Sequence, residues 1–234
     1  MDGQHHQNLV RKAQGLTPIR TAVVHPIDEV SLMGAIRAAE AGLIIPVLVG
    51  PEQKIRSAAS KAGVDLSAYE LVAAEHSHAA AAQAVVLATL HKVEALMKGS
   101  IHTDEFMGAI VREEKLRTAR RISHVFIIDT PGYPRPLFVT DAGVNIYPTL
   151  QDKVDIVQNA IDLAHALGLE LPRVAILSAV ETVHGRHPRW TAGIRQCGFR
   201  GSREDQGYRI PSRGTCRYSC RARFGGRQHA CEAA

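Results

Sequence analysis

The chain has 234 residues, 45% of them apolar, and a formal net charge of +5, which is enough to bury a core as one large domain or two small ones. No apolar run reaches the length of a membrane-spanning helix, and the polar first 14 residues lack the apolar stretch of a signal peptide, so no membrane role is expected. All four cysteines lie beyond residue 183, which argues against a disulfide-stapled scaffold and fits a cytoplasmic setting.

The front of the chain alternates strand and helix signals. Residues 20–25 (RTAVVH) form a short β-branched run that predicts a buried strand. Asp28 or Ser31 is placed to cap a helix through residues 34–41, which Gly42 ends. Residues 44–49 (IIPVLV) predict a second strand, and Gly50-Pro51 a turn. A helix over 52–62 is closed by Gly63, and 69–73 predict a third strand. Residues 79–90 form an alanine-rich helix suited to close packing on a sheet. The segment 93–97 (VEALM) leads into Lys98, Gly99 and Ser100, then a helix over 103–112. Residues 125–129 (VFIID) and 137–140 (LFVT), joined by a proline-rich turn, predict a hairpin. Over 150–167 the apolar residues Val154, Ile156, Val157, Ile161, Leu163 and Ala164 recur near a 3.6 period, a strong helix. Residues 174–178 (VAILS) predict a last buried strand. The expected class is α/β: a mostly parallel sheet with helices on both faces. In such folds ligands sit at the carboxyl ends of strands, where the polar residues here are 98–104, 140–145 and 178–182.

The charge is uneven. Residues 1–183 hold 17 basic and 20 acidic side chains, whereas residues 184–234 hold 11 Arg, no Lys, 8 Gly and only Glu204, Asp205 and Glu232 as acids. The positive excess therefore belongs to the last fifth of the chain. It says little about partners of the body.

Three segments carry a resemblance: ALMKGSIHT (95–103), TDAGVNIYP (140–148) and RVAILSAVE (173–181). Together, and in this order, they resemble the phosphate acetyl/butyryl transferases, with the nearest likeness to the transferase half of bifunctional enoyl-CoA hydratase/phosphate acetyltransferase proteins. The resemblance spans residues 8–183. It implies acyl transfer between coenzyme A and inorganic phosphate in a cleft between two α/β domains, with coenzyme A a substrate and no separate cofactor, and a homodimer as the assembly. It makes Lys98, Gly99, Ser100, His102, Thr103, Asp141, Asn145, Ser178 and Glu181 candidate substrate-binding residues. Independently of it, Gly99 and Ser100 ahead of a helix offer backbone N–H groups to an anion, with hydroxyls from Ser100 and Thr103, a charge from Lys98 and a proton from His102. The plainer reading of that segment is a strand–loop–helix join, and of Asp141 and Asn145 a turn whose side chains bond their own backbone. His76 and His78 read as surface residues with no metal partner. Arg120 and Arg121 read as a solvated face, or as a contact for coenzyme A phosphates.

The resemblance also implies a catalytic Ser-Arg pair followed by an Asp, and nothing in residues 184–234 matches them. A permitted back-translation of residues 189–234, read one nucleotide later, contains ADILVVPDLEAGNMLAK, which looks like the family's next segment. The expectation is a C-terminally truncated acyltransferase domain over 8–183, with a shifted reading frame giving a disordered tail over 184–234 and impaired activity. An inactive relative with residual coenzyme A or phosphate affinity is the first alternative. A nucleic-acid-binding module using the basic tail is the lesser one, and a zinc site at Cys216, Cys220, His229 and Cys231 is poorly spaced.

Overall fold

The computed structural model describes residues 4–130 and 133–177 and the backbone of residues 195–198. The chain divides into two compact units, Met1–Ile156 and Val157–Ala234.

In the first unit the β-branched runs form strands and the alanine-rich segments form helices. The order is α1 (Gln4–Gln14), β1 (Ile19–Val24), α2 (Glu29–Glu40), β2 (Ile44–Gly50), α3 (Glu52–Ala62), β3 (Glu70–Ala73), α4 (Ser77–Thr89), β4 (Ala95–Lys98), α5 (Thr103–Arg112), β5 (Val125–Ile128), β6 (Leu137–Thr140) and the start of α6 (Leu150–Ala166). Strands one to four form a parallel sheet in the order β3-β2-β1-β4. The chain winds outward from β1 to β3, then crosses back to place β4 on the other side of β1. β5 and β6 pair as a separate antiparallel hairpin.

Strand alternation divides the core into two layers. Ala22, Val24, Val47 and Val49 face Ala80, Ala81, Ala84 and Leu87 of α4 and Phe106 of α5. Val23 and Leu48 face the opposite way, onto Leu32, Ala35 and Ile36 of α2 and Ile55, Ala58 and Ala59 of α3. Helices therefore cover both sides, as the sequence predicts. Alanine at the contact positions lets α4 approach the sheet closely.

Helix ends follow their caps. The Asp28 carboxylate accepts the Ser31 amide at 2.8 Å and starts α2. Gly63, at φ 67°, closes α3 in the left-handed region glycine favours. His76 caps α4 by accepting the Ala79 amide on Nδ1 at 3.2 Å, so it has a structural task beyond lying on the surface. The helix α1 had no counterpart in the sequence reading. Its polar run shows no strong core stripe. Its start is fixed from far away, where the His5 and His6 amides donate to Asp129 at 3.0 and 3.3 Å.

In the second unit β7 (Arg173–Ile176) pairs antiparallel with β8 (Arg195–Gly198). The predicted buried strand here is half-exposed: its burial alternates, and Leu177 just beyond it is 74% exposed. The reason is that β7 pairs with β8 in a two-stranded ribbon and takes no part in the parallel sheet. The tail expected over 184–234 lies outside the described residues, apart from the β8 backbone. Among the described residues no helix is long and apolar enough to cross a membrane.

Candidate functional site

The order β3-β2-β1-β4 reverses direction at β1, and the crevice at the carboxyl ends of β1 and β4 is the switch point where doubly wound sheets hold ligands. Two loops meet there: His25 to Asp28 after β1, and Lys98 to His102 between β4 and α5.

Backbone hydrogen bonds join them. The Gly99 amide donates to the Val24 carbonyl at 2.9 Å, and the Ser100 amide to the His25 carbonyl at 3.0 Å. These amides extend the β1–β4 ladder past its end, so they are not open to an anion as the sequence reading expected. Gly99 is required at this approach: a Cβ there would lie 2.6 Å from the Val24 carbonyl oxygen and 3.0 Å from the His25 carbonyl group. His25 is buried, stands at φ 58°, and its Nδ1 lies 2.6 Å from the Ser100 carbonyl oxygen. The Asp28 carboxyl is held below its ordinary value of 3.8, first by the Ser31 amide and then by the Ser100 side chain. Ser100 is thus engaged at its amide and carbonyl.

The open groups are the neighbours of this anchor. Lys98, His102 and Thr103 are exposed. His102 stands at the N-cap of α5 without a side-chain capping bond, so its side chain caps none of the first-turn N–H groups at the positive end of the helix dipole. Asp104 and Glu105 in the same turn oppose an anion. His78 Nδ1 lies 3.1 Å from the Glu105 carboxylate. Lys98 supplies the remaining positive charge.

Asp141 and Asn145 form a second cluster, after β6. The Asp141 carboxylate accepts the amides of Gly143 at 3.1 Å, Val144 at 3.0 Å and Asn145 at 3.2 Å. It also accepts the Asn145 side-chain amide, which donates to the Ile122 carbonyl as well. Burial pushes the Asp141 carboxyl up, but these donors together carry it below its ordinary value. Beside this turn lies a cavity of about 230 Å³ lined by Arg121, Asn145, Tyr147 and Asp152 among others. Among the described residues no hydrogen bond or ion pair joins the two clusters. Ser178 and Glu181 lie outside the described residues. A larger cavity, about 390 Å³, opens between Arg20, Ile44 and Glu70. It sits at the amino ends of the strands, where the switch-point rule places no ligand. Among the described residues no group of three or more His, Cys, Asp or Glu is placed to hold a metal.

Asp152 anchors the cavity wall through a reciprocal cap of α6. It accepts the Thr149 amide at 2.9 Å and hydroxyl at 2.8 Å, and its own amide donates to the Thr149 hydroxyl at 3.2 Å. The Thr149 amide first, then the Arg121 guanidinium at 2.6 Å, hold its carboxyl at about 2 against an ordinary 3.8. A depressed carboxyl stabilises the fold fully above its unfolded value and loses that contribution as pH falls through the folded one. Asp152→Asn is expected to lower Tm at pH 7, with the two melting temperatures converging as pH falls from 3.8 through about 2. A gap that persists below pH 2 would refute this origin.

A parallel sheet whose strand order reverses at β1, with helices packed on both faces, defines a doubly wound α/β protein. The phosphate acetyl/butaryl transferase model matches residues 73–196, and the chain belongs to that family. It is 55% identical over 187 residues to the phosphate acetyltransferase of Rickettsia typhi, covering 79% of this chain and 54% of that protein. With the phosphate butyryltransferase of Clostridium acetobutylicum it shares 35% identity over 181 residues, 77% of this chain and 60% of the relative. The chain thus spans little more than half the length of these curated relatives. Its fold matches a phosphotransacetylase from Streptococcus pyogenes with a TM-score of 0.65 at 18% identity, over 80% of this chain and 65% of that one.

Lys98, Gly99, Ser100, His102 and Thr103 stand out in the sequence, whereas the contact of His25 with Ser100 does not. The signal available was the polar His25 at the end of an apolar strand and just before Pro26, a residue that disfavours right-handed helical backbone before it.

Proposed function

We propose that the chain supplies the phosphate-binding part of a phosphate acyltransferase, which moves an acetyl or short-chain acyl group between coenzyme A and inorganic phosphate. Family membership supports the reaction class. The observation that carries the local assignment is the exposed trio Lys98, His102 and Thr103 around an uncapped helix start at the switch point.

In the forward direction a phosphate oxygen attacks the thioester carbonyl, a tetrahedral oxyanion forms, and the C–S bond breaks. The thiolate leaves and takes up a proton, and acyl phosphate remains. Phosphate must be held against its own charge while it attacks. Lys98 supplies a point charge, the first-turn amides of α5 supply aligned dipoles, and Thr103 and His102 supply directed donors. Gly99 and Ser100 serve by anchoring this loop to β1. Asp141 and Asn145 shape a neighbouring turn, beside which the Arg121 guanidinium is engaged with Asp152. Ser178 and Glu181 belong to the proposed substrate-binding set on the resemblance of their segment alone. A homodimer is carried on the same ground, and a cytoplasmic setting on the lack of cysteine in residues 1–183.

The break in composition at residue 183 supports a further reading: residues 184–234 are translated from a shifted frame, and the chain retains phosphate and coenzyme A affinity with impaired turnover. Sequencing the locus tests this, and a DNA sequence that cannot be read in the second frame as given ends it.

The function is tested by thiol release from acetyl-CoA and butyryl-CoA with inorganic phosphate, run beside calorimetric titration of phosphate and coenzyme A. Phosphate binding that falls about tenfold or more in Lys98→Ala supports the site, on the scale expected for losing a charge-assisted contact. A chain that releases no thiol and binds neither ligand refutes the proposal.

A further inference from the structure

The β1–α2 turn holds the Ser100 backbone on two sides. The His25 carbonyl accepts the Ser100 amide at 3.0 Å, and His25 Nδ1 lies 2.6 Å from the Ser100 carbonyl oxygen. A carbonyl oxygen can only accept, so this geometry requires the proton on Nδ1. The imidazole is 8% exposed, and removing its donor leaves a carbonyl in a buried setting without that partner. His25 also sits at φ 58°, a conformation that asparagine and glycine adopt readily and most other residues do not.

The consequence falls on the residues that follow. The peptide after Ser100 sets the direction in which the chain enters His102 and Thr103, where α5 begins. Orienting the Ser100 carbonyl therefore orients the first turn of α5. We propose that His25 is a positioning residue: through Nδ1–H and the Ser100 carbonyl it fixes the start of α5 in the direction that binds phosphate. This inference rests on the acyltransfer reading above. His25 itself need not touch substrate, and its part is to keep the donor set aligned before the anion arrives.

Two substitutions separate the ring's donor from its backbone conformation. His25→Gly keeps the left-handed backbone and removes the donor. His25→Asn keeps both, because its side-chain amide nitrogen occupies a place close to that of Nδ1. Inorganic phosphate is titrated calorimetrically into the full chain and each variant, melting curves are recorded, and nitrogen-15 spectra of labelled histidine report which ring nitrogen carries the proton. The expected result is Nδ1–H for His25, phosphate affinity within about threefold of the unsubstituted chain for His25→Asn, and a loss of about tenfold for His25→Gly, as befits one buried hydrogen bond. Equal affinity in His25→Gly, or a proton found on Nε2, overturns the positioning role while leaving phosphate binding intact. If His25→Gly fails to fold, His25→Asn decides alone, and a tenfold loss there overturns the proposal. An unsubstituted chain that does not bind phosphate refutes the phosphate-binding assignment of the α5 start, and the role of His25 with it.

Discussion

Gly99→Ala is expected to destabilise the first unit by about 3 kcal/mol, at the upper end for overpacking a site with no room to yield. The new methyl would stand 2.6 Å from one backbone oxygen and 3.0 Å from the next carbonyl group. Neither neighbour is a side chain that can rotate away. Both belong to Val24 and His25, where β1 is already bonded to β2 through the His25 amide and Val49 carbonyl at 2.7 Å. Relief therefore requires β4 to separate from β1, breaking the two hydrogen bonds from the Gly99 and Ser100 amides that tether the loop. Urea denaturation followed by circular dichroism should show the loss, and phosphate binding should fall with it. A variant within about 0.5 kcal/mol of the unsubstituted chain, the range of ordinary surface changes, would show that the loop has slack the geometry does not reveal.

Leu48→Ala is expected to cost about 2–5 kcal/mol, the span measured for emptying a buried leucine site. Leu48 is fully buried on β2, in the layer formed with Val23, Leu32, Ile36 and Ile55. The sheet backbone on one side and two helices on the other limit how far the cavity can collapse. Ile45→Ala on the same strand is the control. Ile45 is 45% exposed, and its truncation should cost about 1 kcal/mol or less on the scale of apolar area lost. Equal effects at the two positions would mean that the layering of the sheet is wrong.

Much of the architecture was readable from residue patterns, for local reasons. Glu52 to Ala62 closed by Gly63 is helix as expected because the stop is a single glycine in the left-handed region. Ile44 to Val49 is a strand because β-branched residues fill both faces of a covered sheet. Other features depend on partners far away in sequence and leave no local mark. The polar α1 is fixed in part by Asp129, more than a hundred residues later. The segment 174–178 has the composition of a buried strand, yet it joins a two-stranded ribbon, where neighbours rather than composition set exposure. At the candidate site the residue types were legible and their division of labour was not. Gly99 and Ser100 carry the look of an anion loop. Only the register Val24 to Lys98 between β1 and β4 reveals that their amides are already committed to β1. His25 leaves no sign beyond its place at a strand end before Pro26, since its partner Ser100 lies in a loop that arrives 75 residues later.

The position of β1 has a consequence for how the chain breathes. β1 is bonded on both sides, to β2 and β4, whereas β3 and β4 each have one neighbour in the sheet. Amides of outer strands exchange with solvent through small local openings, but those of an inner strand wait for larger ones. Deuterium should therefore enter Glu70–Ala73 well before Ala22 to Val24. The loop after Lys98 is hung from the end of this inner strand, so fraying at the far margin of the sheet can come and go without loosening the mooring of the proposed phosphate-binding loop.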